Sequence, residues 1–394
     1  MSAAPARPPV QWRVPILFAA GFALLSGLYA GLLLLGAGVP QPPSAVQDVH
    51  GPVMVFGFVG TLMALERAVA LGRRWAFLAP ACSGVGALLL LAAGPGWVGK
   101  AAMMVASVVL LGVYRALWAR QQSVALLAQA SGAFGWYAAT LLWLAGFPIG
   151  DTVPWMVVFV VATIAGERRE LAHVALLPAH AERWFLAAVA ALPVAATATA
   201  VWPRAGTHLL GFALLAQAAW LAVFDVARRT VHGSGLPRYA AVGLLTGYGW
   251  LAVAGLLWAG AGPAGDGARY DATLHAVFLG FVLSMIFVHV PVILPAVLRR
   301  PLPYHPVLYG PLALLHTSLL ARIIVGDGVG VEPAWRWAGV ANVAAVLAFL
   351  GCAGTLSVTA GRRARVPATA AVMKAGTGRP LAASHNGLVG EGRP

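Results

Sequence analysis

Charge is what this chain has least of. Of its 394 residues only 10% are Asp, Glu, Lys or Arg, and just 12 are acidic. A water-soluble domain of this length needs a far more polar surface, so that class is excluded. Cysteine is nearly absent as well. Cys82 and Cys352 lie in separate apolar stretches, which leaves no basis for a disulfide framework or a cysteine-rich zinc site. No stretch is polar enough to form an extramembrane domain. The longest polar segment follows Ala360, is rich in Gly, Ala and Arg, and lacks apolar periodicity, a composition that predicts disorder.

Apolar sequence fills the chain instead, at 60% hydrophobic residues and a mean hydropathy of +0.82. About twelve apolar segments, joined by short polar or Gly/Pro connections, predict an all-α polytopic membrane protein, an up-and-down bundle of about twelve transmembrane helices. Three regions follow: a cytoplasmic N-terminal tail (1–14), the transmembrane domain (15–358) and a disordered cytoplasmic tail (359–394). Before Ile16 there is no convincing small-residue cleavage site, so the first apolar run reads as a retained span.

The net charge of +14 is spread among the connections, which argues against a nucleic-acid-binding domain. With the N-terminus inside, 21 of the 26 basic residues fall on one side. The others are Lys100, Arg204, Arg269, Arg322 and Arg336. That bias places both termini of this multi-pass protein in the cytoplasm. Trp75, Trp97, Trp155, Trp184 and Trp202 fall at predicted span ends, as an interfacial belt would require.

Polar residues at membrane depth are costly and therefore informative. From Ala272 to Leu298 the tenth span carries no charged residue but holds His275, Met285, His289, Pro291 and Pro295. Fourteen residues separate the histidines, about 21 Å of helix rise, so they cannot share one metal ion. The orientation puts His50, at the start of the second span, at the same outer depth as His275. His316 falls near the midplane below them, and His289 lies deep on the inner side. Any one of these histidines reads equally well as a donor to a neighbouring carbonyl. His50, His275 and His316 together, near Met54 and Met285, point toward a metal or heme site, with His289 a further candidate ligand.

The inner end of the sixth span is the second anomaly, with Glu167, Arg168, Arg169, Glu170 and His173 in seven residues. An ion-pair cluster is the favoured reading, with Arg168 or Arg169 held to Glu66, Glu167 or Asp225. A functional reading makes Glu66, Glu167, Glu170 and His173, with His289, a proton relay. Alternatively, Arg168 and Arg169 would pair with heme propionates. The Gly243-Leu-Leu-Thr-Gly247 spacing reads as close helix packing.

Two stretches carry a family resemblance. His50-Gly-Pro-Val-Met-Val-Phe-Gly-Phe and His275-Ala-Val-Phe-Leu-Gly-Phe-Val-Leu-Ser-Met285 resemble the second- and tenth-span motifs of the NnrS family. These are twelve-span heme- and copper-containing membrane proteins of the bacterial nitric oxide response. The first motif is also similar to the His-Gly-x-x-Met pattern of the heme–copper oxidase core subunit. The resemblance implies a b-type heme, copper as a second cofactor, His50 and His275 as ligands, and nitric oxide or another diatomic molecule as a partner. Where the family carries another histidine two residues after the first, this chain has Pro52, and it contains no His-His pair. That departure argues against an oxidase-type copper centre and oxygen reduction. Two other classes stay open: a proton-coupled transporter, and a non-catalytic assembly subunit of a respiratory complex.

Overall fold

The computed structural model describes residues 13–42, 44, 46–171, 177–298 and 301–365. Among them there is no strand, and twelve helices of 20 residues or more account for most of the chain. In chain order these are α1 (Arg13–Leu34), α2 (Val46–Leu71), α3 (Arg74–Ala93), α4 (Trp97–Trp118), α5 (Val124–Leu144), α6 (Ile149–Leu171), α7 (Ala179–Val201), α8 (Pro203–Phe224), α9 (Gly235–Ala261), α10 (Gly267–Pro295), α11 (Pro306–Gly328) and α12 (Glu332–Arg365). Eleven are long and apolar enough to cross a membrane. The exception, α5, is just as long, but Gln129, Ser131, Gly132 and Gly135 lower its hydropathy. Those small residues let α5 press onto α6: a Cβ at Gly132 would lie 2.2 Å from Thr163 Oγ1, and one at Gly135 2.7 Å from the Phe159 nitrogen. The chain is a multi-pass helical membrane protein.

Lipid-facing and core-facing residues sort as an apolar solvent requires. Phe18, Val194, Phe212 and Leu256 are exposed on the outside of the bundle, whereas α6 is the most enclosed helix, followed by α2 and α10. Helix α1 packs on α2 and α3 and touches α12 and α10, so the first and last helices meet. Trp75, Trp97, Trp184 and Trp202 are exposed at helix ends as predicted. Trp155 is not: it is buried edge-on against Phe134, because α6 is central.

Among the described residues three helices contain π-helical segments. Residues Val53–Gly60 of α2, Ala276–Leu283 of α10 and Arg322–Gly328 of α11 are wound as π-helix. The first two begin within one turn of His50 and His275. Such wide turns occur disproportionately at functional sites. Each also contains a glycine against which a tryptophan of another helix is seated. A Cβ at Gly60 would lie 2.7 Å from Trp136, and one at Gly280 2.4 Å from Trp250.

Residues 359–365, expected within the disordered tail, are helical instead. Helix α12 runs on to Arg365, because nothing before Pro367 breaks it, and 34 residues at the usual rise exceed the bilayer core. Residues 366–394, like 1–12, lie outside the described residues.

Candidate functional site

His50 and His275 line one cavity of about 300 Å³. It lies between the first halves of α2, α6 and α10, the second half of α1, and the facing parts of α11 and α12. Its walls are mainly Leu, Val, Ile and Phe, with Met54 and Met156 among them. The two imidazoles are held alike. His50 Nδ1 lies 2.9 Å from the Gly27 carbonyl and His275 Nδ1 2.8 Å from the Asp271 carbonyl. A carbonyl only accepts, so each Nδ1 carries the proton and each Nε2 keeps its lone pair. Neither Nε2 has a hydrogen-bond partner among the described residues. This is the tautomer and second-atom anchoring typical of a ligating histidine.

One ion pair closes the rim of the cavity. Arg322, buried at the start of the α11 π-segment, donates from Nε and Nη2 to the two Asp271 carboxylate oxygens at 2.9 and 2.8 Å. The Trp335 indole donates to the same carboxylate at 3.1 Å, and the Arg322 guanidinium lies 5.4 Å from the Trp335 ring centre. Asp271 also sits 3.2 Å from His275 Nδ1, one helical turn away. Neither Asp271 nor Arg322 stood out in the sequence. The available signals were the i,i+4 spacing of Asp271 and His275 and the isolation of Arg322 from the other arginines.

His316 is not part of this group. Its Nδ1 accepts from the Trp250 indole at 2.9 Å and its Nε2 lies 3.0 Å from Thr246 Oγ1, so both nitrogens are committed to α9. Met285 is likewise absent from the outer cavity. It lines the inner one, and its methyl group sits against Gly247. Together with Val288 against Gly243, this makes the paired glycines of α9 a docking groove for α10.

Arg168, expected near heme propionates, is held elsewhere. It donates from Nε and Nη2 to Asp225 at 2.7 and 2.9 Å, and Tyr248 donates to the same carboxylate at 2.8 Å. This fulfils the ion-pair alternative and keeps Arg168 at the opposite end of α6 from the outer cavity. The arginine that does line the outer cavity is Arg322.

The inner residues form their own group around a second cavity of about 150 Å³, lined by Glu66, Glu167 and His289. His289 Nδ1 donates to the Met285 carbonyl at 2.7 Å, and its Nε2 accepts from Arg168 Nη1 at 3.3 Å. Arg67 is the hub, touching Glu66, with Glu170 at 3.5 Å, Glu167 at 4.0 Å and Gln129 at 3.1 Å. Gln129 passes the interaction on by donating to Glu170 at 3.0 Å. His173 lies outside the described residues. Among the described residues no three His, Cys, Asp or Glu side chains converge as a metal ion would require.

Residues 13–358 match the family described as Domain of unknown function (DUF8744). The chain belongs to that family. No curated protein matches it. The DUF8744 match spans both histidine motifs, both cavities and all twelve helices except the last turns of α12.

Proposed function

We propose that this DUF8744 protein is an integral membrane heme-binding protein of the NnrS type, acting in nitric oxide tolerance or membrane redox chemistry. One observation carries the reading: His50 and His275, from helices eight spans apart, open onto one apolar cavity with Nδ1 anchored to a carbonyl and Nε2 free. Apolar walls, a buried arginine at the rim and imidazole ligands with fixed tautomers are what a b-type heme requires of its site. His50 and His275 would hold the group, and Arg322, already shared with Asp271, would face its propionates. Bound heme would supply one-electron chemistry and binding of a small diatomic molecule such as nitric oxide.

Copper does not fit equally well. With Pro52 in place of a second histidine and no three donors converging, the described residues do not offer the ligand set of a heme–copper centre. In the membrane of a bacterium the arginine-rich face would lie toward the cytoplasm, which places the heme cavity near the opposite surface.

The test is a pyridine hemochrome assay on detergent-purified protein, with His50→Ala and His275→Ala prepared alongside. The expected result is near-stoichiometric heme in the parent and loss of the Soret band in both variants. A heme-free parent, or an unchanged spectrum in both variants, overturns the assignment.

A further inference from the structure

The outer and inner cavities share two wall residues, Val59 and Val282. Each stands at the C-terminal end of a π-segment, Val59 in α2 and Val282 in α10, and both are buried. The same four helices, α1, α2, α6 and α10, line both cavities. The two cavities therefore lie end to end along the bundle axis and meet at mid-depth at these two valines. At their far ends stand titratable groups: His50, Asp271 and His275 at one, Glu66, Glu167 and His289 at the other.

Among the described residues the charges at the inner end do not balance. Three carboxylates, Glu66, Glu167 and Glu170, surround the single guanidinium of Arg67, leaving an excess of two negative charges. The neighbouring described arginines are already used, Arg168 by Asp225 and Arg169 by Glu182 at 3.3 Å, and Arg13, buried at the start of α1, is engaged as well. His289 accepts from Arg168 and donates to a carbonyl, so it is neutral. Tyr114 of α4 is buried beside the cluster, and Gln129 of α5 contributes no charge. Glu170, 58% exposed, can keep its charge in water. The remaining excess falls on Glu66 and Glu167. Glu167 Oε1 is buried, faces the cavity and has no hydrogen-bond partner among the described residues. With Arg67 4.0 Å away and shared among three carboxylates, an ionised Glu167 without a hydrogen-bond donor on this oxygen would cost several kcal/mol, and a bound proton removes that cost. The other walls are Leu, Ile, Val and Met, which cannot supply the roughly six oxygens a hard metal cation needs. A proton needs none of them.

We propose that the two cavities are halves of one transmembrane proton route, loaded at Glu167 from the arginine-rich face and closed at rest by Val59 and Val282. Glu66, 29% exposed, and Glu170 connect Glu167 to water. Loading forms one O–H bond on the Glu167 carboxylate and changes no oxidation state. A dry constriction of two valines stops water, and with it protons, until the π-segments move. The proposal stands whether or not the outer cavity holds heme.

Two measurements test it on the full-length protein. Infrared difference spectroscopy at neutral pH should show a protonated carboxyl band that disappears in Glu167→Gln and persists in Glu170→Gln. In proteoliposomes carrying a trapped pH dye under a potassium-diffusion potential, Val59→Ala/Val282→Ala should leak protons several-fold faster than the parent. Adding Glu167→Gln should return that leak to the parent level, with monodispersity and melting temperature confirming that each variant is folded. Absence of the carboxyl band, a double variant as tight as the parent, or a leak indifferent to Glu167→Gln would each overturn the proposal.

Discussion

Arg322 grips Asp271 through two parallel hydrogen bonds of 2.8 and 2.9 Å, joining the π-segment of α11 to the helix that carries His275. Asp271 in turn stands one turn below His275 and within 3.2 Å of its Nδ1. The pair therefore does two things: it fastens α11 to α10 and it helps fix the ring that faces the outer cavity.

Breaking that pair should be expensive. Arg322→Leu leaves the Asp271 carboxylate at the cavity rim without its guanidinium, and the expected loss is about 3–5 kcal/mol. Thermal unfolding in detergent measures it. The double variant Asp271→Asn/Arg322→Leu should recover part of the loss, because no charge is then left unpaired.

The Asp225 site offers a graded counterpart. Tyr248→Phe removes one of its donors and should cost about 1 kcal/mol, since Arg168 still holds the carboxylate by two bonds. Asp225→Ala instead strands Arg168 and should cost about 3–5 kcal/mol. Melting curves of the two variants side by side would show whether this order holds.

His316 gives a negative control for the ligand assignment. Because Trp250 and Thr246 engage both of its nitrogens, His316→Ala should leave the heme content of purified protein at the parent value. A Soret band lost in this variant as in His50→Ala would mean that α11 supplies a ligand after all.

Gly280 tests the packing of the π-segment. A Cβ there would lie 2.4 Å from Trp250 Cγ, in the body of a buried indole that cannot swing away. Gly280→Ala should therefore destabilise by about 1–3 kcal/mol, the usual cost of overpacking. Combining it with Trp250→Leu should restore part of the melting temperature, at the expense of the indole's hydrogen bond to His316.

Composition and periodicity determined the architecture by themselves. A backbone in lipid is satisfied only within helices or a closed barrel, and uninterrupted apolar runs of about 20 residues select helices and mark where they lie. The sequence also singled out His50, His275, Glu66 and Glu167, because ionisable groups in apolar runs are rare and each needs a reason to be there. Pairing was beyond its reach. Helical spacing gives the depth and face of a residue within its own span, but which spans touch depends on side-chain packing between segments far apart in the chain. Tertiary structure alone set His316 against α9, chose Asp225 among the candidate partners of Arg168, and gave Arg322 a partner 51 residues away. It also decided that Val59 and Val282, two valines among many, stand at the wall common to both cavities. A valine carries no chemical signature in sequence, and its importance here comes from where α2 and α10 bring it.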